Sequence, residues 1–144
     1  MKRSLMTIFL ASIIGVSGIT FAQQPSFKVV GNSDSTPVTM SKRDLARIFL
    51  KRESSWPSGR TAVPVDQIGN NALRESFAER VLDRSLVSVE SYWQAQVFSG
   101  KESPPKGLRS DTEVIAFVSK MPGAVGYVSA NAPTEGVTVI SISD

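Results

Sequence analysis

Neither cysteine nor histidine occurs anywhere in the 144 residues. That absence removes the Ser/His/Asp and Cys/His nucleophilic arrangements and every His- or Cys-based metal site. It also leaves the fold without disulfides, so packing alone must hold it. No Gly-x-x-x-x-Gly-Lys-Ser/Thr phosphate loop is present either. Hydrolysis by a carboxylate pair is the one catalytic route left, with Asp66 at a strand end and Glu75 and Glu79 four apart on one helix. Glu75 and Glu79 sit among Arg74 and Arg80, the pattern of a solvated helix face. The chain reads as a non-enzyme with no cofactor.

A long apolar run is missing too, except at the start. Lys2 and Arg3 precede the apolar, Ser/Thr/Gly-interrupted Leu5–Ile19, and Thr20-Phe21-Ala22 places small residues before a cut. Met1–Ala22 therefore reads as a secretory signal peptide. The run falls short of the ~20 residues that a membrane span needs, and no cysteine follows it for a lipid anchor. The expected mature protein, residues 23–144, is one domain in the periplasm or secreted medium, with no membrane anchor after cleavage. Losing Lys2 and Arg3 leaves fourteen basic against thirteen acidic side chains, a balance of +1. A nucleic-acid partner has no support in that balance.

Within residues 23–144 the hydrophobic pattern alternates between strand and helix. Phe27–Val30 is an expected strand, and Gly31–Pro37 has loop chemistry. Ser41 with Asp44 opens a helix whose Leu45, Ile48 and Phe49 form a stripe. Thr61–Val65 reads as a short strand and Asn71–Leu82 as a helix. Ser88 is placed as the cap of a third helix, with Val89, Tyr92, Trp93, Val97 and Phe98 facing inward. Lys101–Leu108 is expected as a loop, and Ser110–Glu113 is a capping box opening a fourth helix. Ala124–Val128 and Val137–Ile142 are the closing strands. Strands separated by helices imply an α/β layer fold.

The segment Pro122-Gly123-Ala124-Val125-Gly126-Tyr127-Val128 is the most informative stretch: a helix stop followed by a close-packed entry into a buried strand. Before it come Ile48-Phe49-Leu50, Trp56-Pro57-Ser58-Gly59, Pro64-Val65, Arg74-Glu75-Ser76-Phe77, Tyr92-Trp93, Phe98-Ser99-Gly100 and Pro104-Pro105. In this order and spacing, from about Phe27 to about Ile140, the chain resembles one lobe of the phosphate-binding proteins of ABC transporters. The resemblance implies a single lobe of the type 2 periplasmic-binding-protein fold, a mixed, mainly parallel sheet flanked by helices. It also implies a small oxyanion as ligand and an ABC permease or another periplasmic protein as partner.

Independently of that likeness, Gly69-Asn70-Asn71-Ala72 with Arg74 in the first turn describes an anion-accepting helix start. Ser41 and Ser110 with Arg109 offer two similar ends, and an ordinary capped helix has the same features. In the family, the matching turn carries an arginine followed by Ser-Gly-Thr. Here Asp66 or Gln67 stands at the arginine's place and Asn71, Ala72 and Leu73 replace the triplet, so a carboxylate faces the position where an oxyanion would sit. Family members also close two lobes over their ligand, and this chain has residues for one. An interaction or sensory accessory module that kept the lobe and lost the ligand is the competing expectation. Of the aromatics, Trp93 and Phe117 are expected in the core, whereas Trp56, in a Pro/Ser/Gly loop, is the candidate exposed contact.

Overall fold

The computed structural model describes residues 23–144; the expected signal peptide lies outside the described residues. Chain order is β1 (Phe27–Asn32), β2 (Thr39–Ser41), α1 (Lys42–Phe49), β3 (Val63–Gln67), α2 (Asn71–Val81), α3 (Leu86–Phe98), β4 (Lys106–Leu108), α4 (Asp111–Lys120), β5 (Ala124–Ser129) and β6 (Val137–Ser143). The four helices among the described residues each start on a side-chain oxygen that accepts an N–H of the first turn. Ser41, Asn70, Ser85 and Ser110 accept from Asp44, Leu73, Ser88 and Glu113, each at 3.1 Å. Ser85 rather than Ser88 is thus the cap of α3, which begins a turn earlier than its apolar stripe indicates.

The strands form one sheet in the order β2-β6-β1-β5-β3-β4. β3 runs parallel to β4 and β5, β2 runs parallel to β6, and β1 is antiparallel to both β5 and β6. Five strands therefore point one way and β1 the other, a mixed and mainly parallel sheet. β4 forms where a loop was expected, because pairing with β3 orders a Lys-Gly-Leu segment that has no strand pattern of its own.

Successive residues of a strand face opposite sides, and the core divides accordingly. Val29, Val125 and Tyr127 pack with Leu45, Ile48 and Phe49 of α1 and Leu73, Phe77 and Val81 of α2. Val30, Val65 and Val128 pack with Val114 and Val118 of α4 on the other side. Gly126 is what lets α4 lie so near the sheet. A Cβ there would stand 2.8 Å from Val114 Cγ1 and 2.9 Å from Val65 Cγ2.

Two aromatic assignments reverse. Trp56 is 2% exposed and donates its Nε1–H to the Gly123 carbonyl at 2.9 Å, so it is core rather than a surface contact. The loop from Glu53 to Thr61 folds back on itself through Trp56 N to Arg60 O (2.8 Å) and buries the indole over α1 and the sheet. Phe98, by contrast, is 96% exposed and Val97 is exposed beside it, so the last turn of α3 is surface and its buried face stops at Val89 and Trp93. Trp93 is buried as expected, in a small cluster with Ala78 and Val89. Phe117 is half-buried, with Lys106 Nζ 5.1 Å from its ring centroid.

Candidate functional site

β3 and β4 run side by side and end at the same edge of the sheet. From there α2 leaves toward one face and α4 toward the other, a crossover at which ligands lodge in open α/β sheets. The two exit turns are stitched together: Ile68 N–H donates to the Leu108 carbonyl at 2.8 Å. Gly69 lies so close that a Cβ would stand 1.8 Å from the Arg109 carbonyl oxygen. That contact is the steric reason for glycine at 69; no side chain fits between the turns. Asn70 spends its side-chain oxygen on the Leu73 N–H, while Asn71 and Ala72 are exposed in the first turn of α2, whose leading N–H groups have no intrahelical partner.

Directly beneath this turn is a polar network. Asp66 accepts from Arg74 Nε at 2.7 Å on one carboxylate oxygen and from the Tyr127 hydroxyl on the other. Arg74 also reaches Glu90, 3.4 Å from its Nη1. Tyr127 is fully buried, with its ring stacked on Phe77 at 3.9 Å between centroids. Burial pushes its hydroxyl pKa far up, and the adjacent Asp66 charge adds to the rise. Gln67 donates from Nε2 to Asp111 Oδ1 (2.9 Å) and to the Tyr127 carbonyl (3.2 Å), tying β3, β5 and the start of α4. Burial alone would raise the Asp111 carboxyl. Hydrogen bonds from Gln67 and Ser129, with the Lys28 charge, outweigh it and hold the pKa below the usual aspartate range.

The structure thus brings Gly69, Asn70, Asn71, Ala72 and Arg74 to one edge, but pairs the Arg74 guanidinium with Asp66. Asp66, Arg74 and Glu90 together leave one negative charge over. Tyr127, Gln67 and Asp111 belong to the same network and were not singled out from the sequence as site residues. The available signal was an acid at Asp66 directly after the apolar Val63-Pro64-Val65, with a basic residue in the next helix. Among the described residues no cluster of acids has metal-binding geometry and no helix is long and apolar enough to cross a membrane.

No family model and no curated protein matches the chain. Solved structures do. An ABC-type phosphate transport receptor from Vibrio cholerae superposes with a TM-score of 0.63 at 16% identity, over 83% of this chain and 48% of that one. PstS from Borrelia burgdorferi gives 0.63 at 13% identity, over 83% and 48%. At such identities the likeness is one of fold. The chain shares the α/β fold of about half of each of these proteins and spans about half their length.

Proposed function

We propose that this protein is an exported, non-enzymatic lobe of the solute-binding type, cleaved after Ala22, that takes a small oxyanion weakly at the start of α2. Phosphate is the first candidate, and an ABC permease or another periplasmic protein is the partner class. The observation that carries the reading is the paired exit of α2 and α4 from one sheet edge, which presents the N–H groups of Asn70, Asn71 and Ala72 beside Gly69. A phosphate transport receptor sharing this fold supports the choice of ligand. Weak binding follows from the charge: Arg74 is already paired with Asp66, and a single lobe leaves one side of an anion in water.

That same ion pair favours a second reading, in which the lobe is a scaffold for contact with another protein or a sensor and no ligand binds. Titration calorimetry with phosphate, sulfate and small carboxylates separates the two. Asp66→Arg is expected to raise oxyanion affinity in a salt-sensitive way, and the isosteric Asp66→Asn to raise it less. Arg74→Ala is expected to abolish the weak binding of the wild type. Indistinguishable titrations of all four at low salt would leave the scaffold reading. N-terminal sequencing of secreted protein should begin at Gln23; an intact Met1 would defeat the export assignment.

A further inference from the structure

Positive charge is unevenly spread over the chain. A hollow of about 570 Å³ lies between α1 and the turn joining α2 to α3, and five cations line it: Lys42, Arg43, Arg47, Arg52 and Arg84. The carboxylates lining it are Asp83, held by Lys42 Nζ at 2.7 Å, and Asp144. Arg47 has Glu53 at 3.8 Å, the length of a loose surface pair. Among the described residues no carboxylate comes within ion-pair distance of Arg43, Arg52 or Arg84. Residues 23–144 as a whole are near balance, and outside this hollow nine basic side chains stand against eleven acidic ones. The hollow is thus the positive pole of a molecule whose remaining surface is slightly negative.

Two of these arginines are held in place. The Arg52 and Arg84 guanidinium carbons stand 5.5 and 5.4 Å from the centroid of the same ring, Tyr92, an attraction that fixes a cation over an aromatic face. Tyr92 is anchored in turn, its hydroxyl donating to the Leu50 carbonyl at 2.8 Å, and Leu50 lines the hollow. Each arginine directly follows a residue in the left-handed conformation that helix ends usually give to glycine: Lys51 and Asp83, both at φ +52. Two helix ends distant in sequence thus bring two guanidiniums to one ring with no acid to neutralise them. Like charges held this way repel, and a multivalent anion in the hollow offsets that repulsion. The side chains are already ordered, which lowers the cost of binding. We propose that this hollow is a binding site for a phosphoryl group carrying two or more negative charges, gripped by the Arg52 and Arg84 forks with the exposed Arg43 beside them. It lies at the other end of α2 from Asn70, on the order of 15 Å away for eleven helical residues. The inference does not depend on whether an oxyanion binds at the start of α2.

Two binding measurements on the secreted protein at low salt test it. Calorimetric titration with sodium pyrophosphate reports a soluble ligand, and co-flotation with phosphatidylcholine vesicles containing phosphatidic acid reports a lipid headgroup. Binding is expected in at least one arm and should weaken as salt is added. The double variant Arg52→Gln/Arg84→Gln should weaken it at least about tenfold, the loss of one charged hydrogen bond or more, with an unchanged circular dichroism spectrum. Arg43→Glu, at an exposed position, should weaken it too and serves where the double variant fails to fold. Lys101→Gln/Lys120→Gln removes the same charge at two other exposed positions and should bind as the wild type does. Silence in both arms overturns the proposal. So does binding that the arginine variants leave intact, or that the lysine variant weakens equally, because the anion then sits elsewhere or answers only to overall charge.

Discussion

The loop carrying Trp56 and the last turns of α3 invert the usual relation between local order and burial. The loop is irregular and rich in turn residues, yet Trp56 is sealed and its indole N–H is bonded to Gly123. The end of α3 is regular helix, yet Phe98 and Val97 face water. The difference lies in what each segment finds opposite it. Gly123, at φ +82 with the Thr61 carbonyl 2.0 Å from where a Cβ would be, draws the loop against the start of β5. Its N–H donates to Ser35 Oγ at 2.7 Å, which ties the same turn to the loop after β1. At the end of α3 Phe98 is left almost wholly in water and Val97 more than half exposed. Burial is decided by the third layer, and a segment's own conformation does not reveal it.

Substitutions rank along that contrast. Trp56→Ala should be the most damaging, about 3–5 kcal/mol in a denaturant melt for the large-to-small change, with loss of the Gly123 bond as a further cost. Trp93→Ala, in a smaller cluster near the surface, should cost less; the reverse order would mean that the loop is not part of the core. Ser35→Ala should cost about 1–2 kcal/mol by leaving the Gly123 N–H unpaired.

Acid sensitivity sharpens the contrast further, because no ionisable group holds Trp56 in place. The Asp111 carboxyl has a lowered pKa in the folded state, so its contribution is present above the unfolded value of about 3.9 and is lost as pH falls through the folded value. Asp111→Asn should therefore destabilise at neutral pH, and its difference from wild type should shrink on acidification. Trp56→Ala should show a pH-independent deficit over the same range. Phe98→Ser should change stability least, within about 0.5 kcal/mol; a larger loss would mean that α3 is covered in the free chain.

The alternating strand and helix pattern, the Ser41, Asn70 and Ser110 helix starts and the Gly123–Gly126 entry into β5 were all legible from residues alone, because each is local: a period, a cap, a turn. β2 and β4 were not, being three-residue strands that exist only through a partner's hydrogen bonds. At the candidate site the sequence located the α2 start and marked Asp66 as an obstacle to an anion. It did not reveal that Arg74 folds back onto Asp66 or that Tyr127 joins them, since β5 meets β3 only in the assembled sheet, with Pro64 opposite Val125. Gly69 was read as a helix-start glycine open to a ligand. Its closeness to Arg109 comes from a strand about forty residues later and has no local trace.

The antiparallel strand β1 carries a kinetic consequence. It sits third in the sheet, between β5 and β6, so Phe27 pairs with Ser129 and Asn32 with Val137, about a hundred residues further on. The first strand to leave a ribosome thus waits for the last two before its edges close. Such long-range closure makes folding slow and leaves the emerging chain without its central pairing until β5 and β6 have been made. Under the export proposed above, a chain held open in this way stays threadable until its last strands have been made.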